Sequence, residues 1–574
     1  MPIPNSFSSF SALNFTQFFA ALNDNLYKLL LIFFVISIQG KEHSNTILAL
    51  TGTIFVIPFI IFAPIAGFLA DRFSKQTIIY LTRLAEILST VLGLVCFLIK
   101  SIFGGYLVLF LMATHSAIFS PCKYGIIPEI VEKKNISHSN GILTATTYLA
   151  IIFGTFFASF ISEVSNRNFV FALSCCIAIS IIGTFLSFGI QKTHPQAPQK
   201  PLSLHFFPVI LNTLKRSKKI RYLFYSLIFG SYFLFIGAYT QLNIIPFTLQ
   251  SLNLSEIQGG YFFLMTAIGM GIGAFLAGYL SAKEVELGFV PLATIGIALC
   301  FIGLFLFASF FFMVTLFMIL IGLFGGFYIV PIDTFIQIAS PNENRGQNIA
   351  TSNFLNFIGV IIAAGMMAFF GNFLNLSAKS GFLIIGIVTF IIGLYLLVLF
   401  ADQVLRLFAE LITKFFPIRV IGKEKIHPFQ PILLIASKMD WIDIVFLIGT
   451  LPRLIRCIVP MEKKMRHRSF FYPFLRFCLL DLKHFSPIGP TIIEILNQEL
   501  DANHPVCLIN PHHIGMKDLK AWKNNLSGFL ENIKVPLMPI YISRAKLKTS
   551  TYLSFLKNLM KNPITISYGS KIRK

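Results

Sequence analysis

In the stretch NFTQFFAALNDNLYKLLLIFF, Asn14, Gln17, Ala21, Asp24 and Lys28 recur at helical spacing and form one polar stripe on an apolar segment. Asp24 precedes Lys28 by four residues, the favourable order for an intrahelical ion pair. Two readings follow: the pair neutralises itself, or the stripe lines a central cavity. SPCKYGIIPEI brings Lys123 and Glu129 to the end of another apolar run, where a mouth is expected. Arg83 and Glu86 stand three apart and read as a structural pair. GLFGGFYIVPIDTFIQIASP combines a Gly pair and Pro331 with Asp333 and Gln337 on one face. Glycines permit close helix contact and Pro331 loosens the backbone, so this segment is expected to bend as a gate. Asn353 and Asn356 share a face, and such amides either glue helices together or contact a ligand.

The elements that must position these groups are long and greasy. Of the 574 residues, 55% are hydrophobic and 12% charged, with a mean hydropathy of +0.77. Soluble domains carry about 25% charged residues, so the composition is that of a membrane protein. A charge at the bilayer centre costs about 2.5–3.5 kcal/mol even on permissive scales, so each buried charge above needs a reason. Apolar runs place twelve spans near residues 13–38, 46–70, 77–99, 102–121, 140–162, 168–190, 222–248, 257–280, 287–309, 311–337, 347–372 and 381–400. The longest internal loop, 191–221, carries seven Lys and Arg and no acid, so it is expected on the cytoplasmic side. An even number of crossings then puts both termini in the cytoplasm. No Lys or Arg precedes Asn23, so no signal peptide is expected. Eight cysteines without CxxC spacing read as inert thiols, and no metal site or cofactor is expected.

The two halves echo one another: AGFLADR (66–72) after span two and AGYLSAK (277–283) after span eight. Parallel six-helix repeats are a transporter architecture. The first copy extends into Gly67-x-x-x-Asp71-Arg72-x-Ser74-Lys75, which resembles the loop signature of the major facilitator superfamily, with serine where glycine is usual. The resemblance implies a lock between the halves, weaker in the second copy, where Ala282 replaces the aspartate. FFAALNDNLYK, SPCKYGIIPEI, KEVELGFVPL and GLFGGFYIVPIDTFIQ resemble the lysophospholipid transporter branch of that superfamily, over residues 10–400. That branch implies a bacterial inner-membrane protein that moves lysophospholipids inward for re-acylation. Asp24 and Lys123 match charged positions of its motifs, whereas Asp333 stands where asparagine is common. A lysophospholipid needs a polar path for its head while its tail stays among lipids. Lys123 or Lys28 would take the phosphate and Asp24 a head-group amine, with Gln17, Asp333, Asn353 and Asn356 lining the same path. Proton or sodium coupling is left open, and a monomer is expected.

From Asp402 onward 26 Lys and Arg face 12 Asp and Glu, a net of +14. A basic domain tethered beside an anionic leaflet is attracted to lipid, and nucleic acid is not expected. Residues 401–427 read as an amphipathic linker whose segment VLRLFAELITKFFPIRV suits the membrane interface. Apolar runs at 431–436, 505–509 and 535–542 read as strands alternating with helices such as TIIEILNQEL, an α/β order over 428–574. The blocks HPFQPILLIASKMDWIDI, FCLLDLKHFSPIGPTIIEILNQELDANHPVCLINPHHIG and VPLMPIYIS resemble a glycerolipid acyltransferase. The family chemistry needs an imidazole, oriented by an aspartate, to deprotonate the attacking hydroxyl. Asp443 keeps the orienting place, but Lys438 stands at the base position. An ordinary lysine is protonated at neutral pH, and nearby acids hold it so. Asn510-Pro511-His512-His513 replaces the family's Phe-Pro-Glu-Gly turn. A displaced base at His512 or His513 would lose the attack geometry. The expectation is a degenerate domain that binds lipid phosphate through Lys438, Arg453 and Lys483 without catalysing. A separate acyltransferase or acyl-carrier-protein synthetase would then complete the repair. The complete expectation is an α-helical membrane protein with 12 transmembrane helices in two six-helix halves plus a C-terminal α/β domain. The alternatives are a bifunctional transporter and acyltransferase, or a transporter of another amphiphile.

Overall fold

The computed structural model describes residues 6–201, 206–220, 222–281, 285–414, 416–422, 432–436, 441–450, 456–459, 479–481, 506–509, 537–543 and 564–568. The first half consists of α1 (Ser6–Gln39), α2 (Ser44–Ile61), α3 (Ala63–Arg72), α4 (Lys75–Leu98), α5 (Ile102–Ile130), α6 (Ile136–Val164) and α7 (Phe169–Ser187). A short α8 (Phe206–Ser217) lies in the central loop. The second half holds α9 (Leu223–Leu252), α10 (Glu256–Leu280), α11 (Phe289–Leu306), α12 (Phe311–Ala339), α13 (Arg345–Ala368) and α14 (Ala378–Leu399). With α2 and α3 counted as one bent span, twelve helical segments among the described residues are long and apolar enough to cross a membrane. In hydrocarbon every backbone group must be satisfied within its own helix, which is why apolar runs of this length fold this way.

The backbone differs from the expected one at two places. A break that was not expected falls in span two. α2 and α3 meet at 48°, with Pro58 inside α2 and Pro64 in the first turn of α3. Pro64 has no N–H to donate, and its ring clashes with the preceding turn, so the ladder breaks there. α12 runs unbroken through Pro331. Span four was expected to stop at residue 121. α5 instead continues through Pro121 and Pro128 to Ile130, so SPCKYGIIPEI is helical and Lys123 lies within the helix.

Small residues set how closely the halves approach at the end that carries the central loop. A methyl on Gly67 of α3 would lie 2.9 Å from the Ala350 Cβ of α13. A methyl on Gly141 of α6 would lie 2.7 Å from the Gly278 Cα of α10. Gly67 and Gly278 occupy equivalent places in the AGFLADR and AGYLSAK repeats, so the duplication supplies both close contacts. α8 tucks Ile210 against Ala63 of α3 and Phe354 of α13, so the central loop touches both halves.

A second compact unit begins at Tyr395. It contains α15 (Ala401–Lys414), β1 (Ile418–Ile421), β2 (Leu433–Ala436), α16 (Trp441–Thr450), β3 (Arg456–Val459), β4 (Leu479–Asp481), β5 (Val506–Ile509), β6 (Leu537–Ser543) and β7 (Ile564–Tyr568). The sheet runs β1-β7-β6-β2-β5-β3-β4, parallel throughout except for the β6–β7 pair. The three expected strands are β2, β5 and β6, and they are neighbours, with Leu433 opposite both Val506 and Leu537. The 401–427 linker is corrected: β1 belongs to the sheet, and α15 packs on α16. Gly449 of α16 lies so near Ala409 of α15 that an added methyl would come within 2.6 Å of Thr413 Cγ2. Part of the α15 apolar face is therefore spent on protein rather than lipid.

Gly326 of α12 lies against Gly273 and Ala274 of α10 with no room for a methyl, whereas Gly52 of α2 has open space. Gly326→Ala is expected to lower the melting temperature in detergent, since overpacking costs about 1–3 kcal/mol. Gly52→Ala should leave it unchanged or slightly raised. Equal melting of the two variants would contradict the α10–α12 packing.

Candidate functional site: a polar cavity between the halves

A central cavity lies between the halves in two lobes of about 470 and 360 Å³, which share Phe59, Ser120, Lys123, Thr147 and Tyr148 on their walls. The larger lobe adds Asp24, Asn25, Lys28, Ser116 and Phe55. The smaller lies nearer the central loop and adds Tyr124, Asp333, Gln337, Ser352, Asn353 and Asn356. Phe233, Met270 and Ile151 line both, so polar groups face an apolar wall.

The structure divides the α1 stripe into two uses. Asp24 and Lys28 line the cavity, but among the described residues no ion pair joins them. Asp24 instead accepts a 2.5 Å hydrogen bond from Ser116 of α5. Among the described residues Lys28 reaches Asn25 Oδ1 alone, at 3.5 Å, and sits 5.2 Å over the Phe55 ring. Gln17 also borders the cavity, yet its amide is engaged with α6. It donates to Thr146 Oγ1 at 2.9 Å and accepts from Thr147 at 2.9 Å, while Asn14 accepts from Thr146 at 2.7 Å.

Lys123 was expected at the mouth with Glu129, and both placements are corrected. Lys123 faces both lobes, with Nζ 4.9 Å from the Tyr124 ring, and its strongest charged neighbour is Asp333 of α12. Glu129 is buried in an ion pair with Lys75 at 2.6 Å, within the first half. Asn353 donates to Ser120 at 2.9 Å and so ties α13 to α5, whereas Asn356 Oδ1 is buried without a hydrogen-bond partner.

Arg83 and Glu86 line neither lobe. They form a buried ion pair inside the first half, Asn23 donates to the second Glu86 oxygen at 2.7 Å, and Phe119 lies 4.6 Å under the guanidinium.

The signature loop closes the central-loop end. Asp71 accepts from the backbone N–H of Gly346 at 2.7 Å and of Gln347 at 3.2 Å, in the first turn of α13. A carboxylate is stabilised there by free N–H groups and the helix dipole. Lys200 of the central loop reaches Asp71 at 2.6 Å and Asn344 at 3.2 Å, and Arg72 donates to the Lys200 carbonyl at 3.2 Å. At the other contact between the halves Asn140 and Gln337 exchange reciprocal amide hydrogen bonds of 3.0 and 2.9 Å. Gln337 is thereby held in the closure.

Ser116, Ser120, Thr147 and Tyr148 were not anticipated. Ser116, Ser120 and Lys123 fall at i, i+4 and i+7 on α5, a stripe that was legible only if the helix was carried past residue 121. In the C-terminal unit Asp443 is buried in the first turn of α16, directly after β2. Lys438, Arg453, Lys483, His512 and His513 lie outside the described residues.

Two six-helix halves of membrane-spanning length closing around an amphipathic cavity define a membrane transporter. The chain belongs to the Major Facilitator Superfamily, whose sequence pattern matches residues 13–364. Over 369 residues it is 25% identical to the lysophospholipid transporter LplT of Photorhabdus laumondii subsp. laumondii, covering 61% of this chain and 88% of that one. The fold is shared with the human organic anion transporter MFSD10, with TM-score 0.57, 14% identity and 69% and 100% of the two chains covered. It is also shared with E. coli FucP in its outward conformation, with TM-score 0.55, 14% identity and 67% and 98% covered.

The Arg83–Glu86 pair makes a stability prediction. Glu86→Ala leaves a buried guanidinium uncompensated and should cost about 3–5 kcal/mol, seen as a large fall in melting temperature. Arg83→Met combined with Glu86→Met should recover most of that loss. A Glu86→Ala protein as stable as the parent would mean that the pair is not load-carrying.

Proposed function

We propose that this protein carries lysophospholipids across a bacterial inner membrane to the cytoplasmic leaflet by alternating access. The supporting observation is the character of the cavity: two cations, Lys28 and Lys123, and two carboxylates, Asp24 and Asp333, face an aromatic and aliphatic wall. A zwitterionic head fits the charges, and a single acyl chain fits the wall or the surrounding lipid. Similarity to proteins named lysophospholipid transporters points to the same cargo class. The basic central loop puts its end of the bundle in the cytoplasm. Asp71, Gly67 and Gly278 close that end, so in this reading the cargo enters from the opposite side. Lys123 takes the phosphate and Asp24 the head-group amine. Release inward requires the Asp71 and Asn140–Gln337 contacts to part, which binding must favour differentially.

The C-terminal unit is read as a lipid-binding relic of an acyltransferase. Asp443 lies after a central parallel strand, where open α/β sheets bind ligands, but its expected imidazole is replaced by Lys438. A separate acyltransferase would finish the repair.

In proteoliposomes, labelled lysophosphatidylethanolamine should be transported in preference to other amphiphiles. Asp24→Ala should abolish that transport while the protein still inserts; wild-type rates in the variant would refute the assignment. Full-length protein given lysophospholipid and a radiolabelled acyl donor should form no diacyl product. Product that disappears in Lys438→Ala would instead establish a working acyltransferase.

A further inference from the structure

The smaller lobe gathers oxygen acceptors that lack donors. Asp333 faces it, and among the described residues no hydrogen bond or ion pair reaches its carboxylate. Asn356 Oδ1 is buried and unpartnered. Ser352 lines the same lobe, is only 5% exposed and has no hydrogen-bond partner among the described residues. Ser352 Oγ and Asn356 Oδ1 each lie 3.8 Å from the point a Cβ on Gly230 would occupy, so α9 leaves the two oxygens room. Buried acceptors are costly unless satisfied, and several acceptors of this hardness around one carboxylate suit a small oxygen-seeking cation. Lys123 is the one charged group acting on Asp333 among the described residues, but its ammonium rests over the Tyr124 and Phe119 rings and makes no ion pair with it.

We propose that Asp333, Asn356 and Ser352 hold a sodium ion, and that this ion frees Lys123 for the phosphate of the cargo. The second half of the proposal rests on the lysophospholipid reading. The electrostatics are simple. Without the ion, Asp333 balances Lys123 and the lobe is neutral. With it, one positive charge is left over, which a phosphodiester neutralises. Sodium and lipid therefore bind with positive cooperativity, and the coupling is reciprocal.

The ion site is tested without lipid. Purified full-length protein is melted in sodium, potassium or choline chloride at equal ionic strength. Sodium raises the Tm of the parent specifically, because a ligand stabilises the state it binds, and Asp333→Asn loses that rise. No sodium-specific rise, or an equal rise in Asp333→Asn, overturns the site. A rise on acidification that replaces the sodium effect and vanishes in Asp333→Asn assigns the group a proton and also overturns it. Should Asp333→Asn fail to fold, Ser352→Ala and Asn356→Ala serve instead. Each should raise the sodium concentration at half-effect, and unchanged values in both overturn the site. Coupling is read separately, as tighter binding of fluorescent lysophosphatidylethanolamine in sodium than in choline. Lipid binding indifferent to sodium overturns the coupling. Failure of the lipid to bind at all refutes the cargo reading and leaves the Tm result standing.

Discussion

Polar groups inside a bilayer have no water to fall back on, and this scarcity organises the molecule. The polar groups singled out above are satisfied by a neighbour in their own half, spent on closing one half against the other, or left facing the cavity. Arg83, Glu86 and Asn23 belong to the first kind, Asp71, Asn140 and Gln337 to the second, and Asp24, Lys28, Lys123 and Asp333 to the third. The same residue types are therefore structural, mechanical or chemical according to what lies across from them.

That dependence on the opposite surface explains what was legible in the sequence. The twelve spans follow from run length alone, because hydrocarbon thickness sets it. The strands β2, β5 and β6 follow from short apolar runs between breaks. Spacing on α1 likewise marks Asp24 and Lys28 as a pair, since i and i+4 share a face. It does not reveal that Ser116, 92 residues away, supplies the shorter contact. Nor does it separate Gln17, which is tied to Thr146 and Thr147, from Asp24 two stripe positions beyond. Proline carried a sharper lesson. Pro331 looked like the hinge because glycines precede it, yet α12 stays whole. The pair Pro58 and Pro64, six residues apart, breaks the second span. Proline number does not decide the matter, since α5 stays whole through Pro121 and Pro128; the second span breaks where Pro64, with no N–H to donate, starts α3.

The duplicated sequence produces a symmetric frame with asymmetric closure. Gly67 and Gly278 come from equivalent repeats, and each abuts the other half. Asp71, whose carboxylate caps α13, is replaced by Ala282 in the sequence of the second copy. One contact is thus closed by charge, through Asp71 and Lys200, and the other by the neutral exchange between Asn140 and Gln337. α8 and the segment bearing Lys200 hold the charged contact from the central loop, so a connector between the halves also takes part in keeping them together.

Where the charges are placed fits the need to open. Breaking a buried ion pair costs several kcal/mol, and a conformational cycle that did so would stall. The deeply buried pairs, Arg83–Glu86 and Lys75–Glu129, each lie inside the first half and move as one body. The Asp71–Lys200 contact spans the moving boundary, and there Lys200 keeps 21% of its side chain exposed. Water can take over from Asp71 at Lys200 as the contact parts, whereas the buried Asp71 carboxylate must find water or another donor once it leaves the α13 N-terminus. A ligand that stabilises the alternative state by a few kcal/mol is then enough to shift the equilibrium. The cavity charges are a natural source of that difference, because Lys28, Lys123 and Asp333 face the cavity without an ion-pair partner among the described residues.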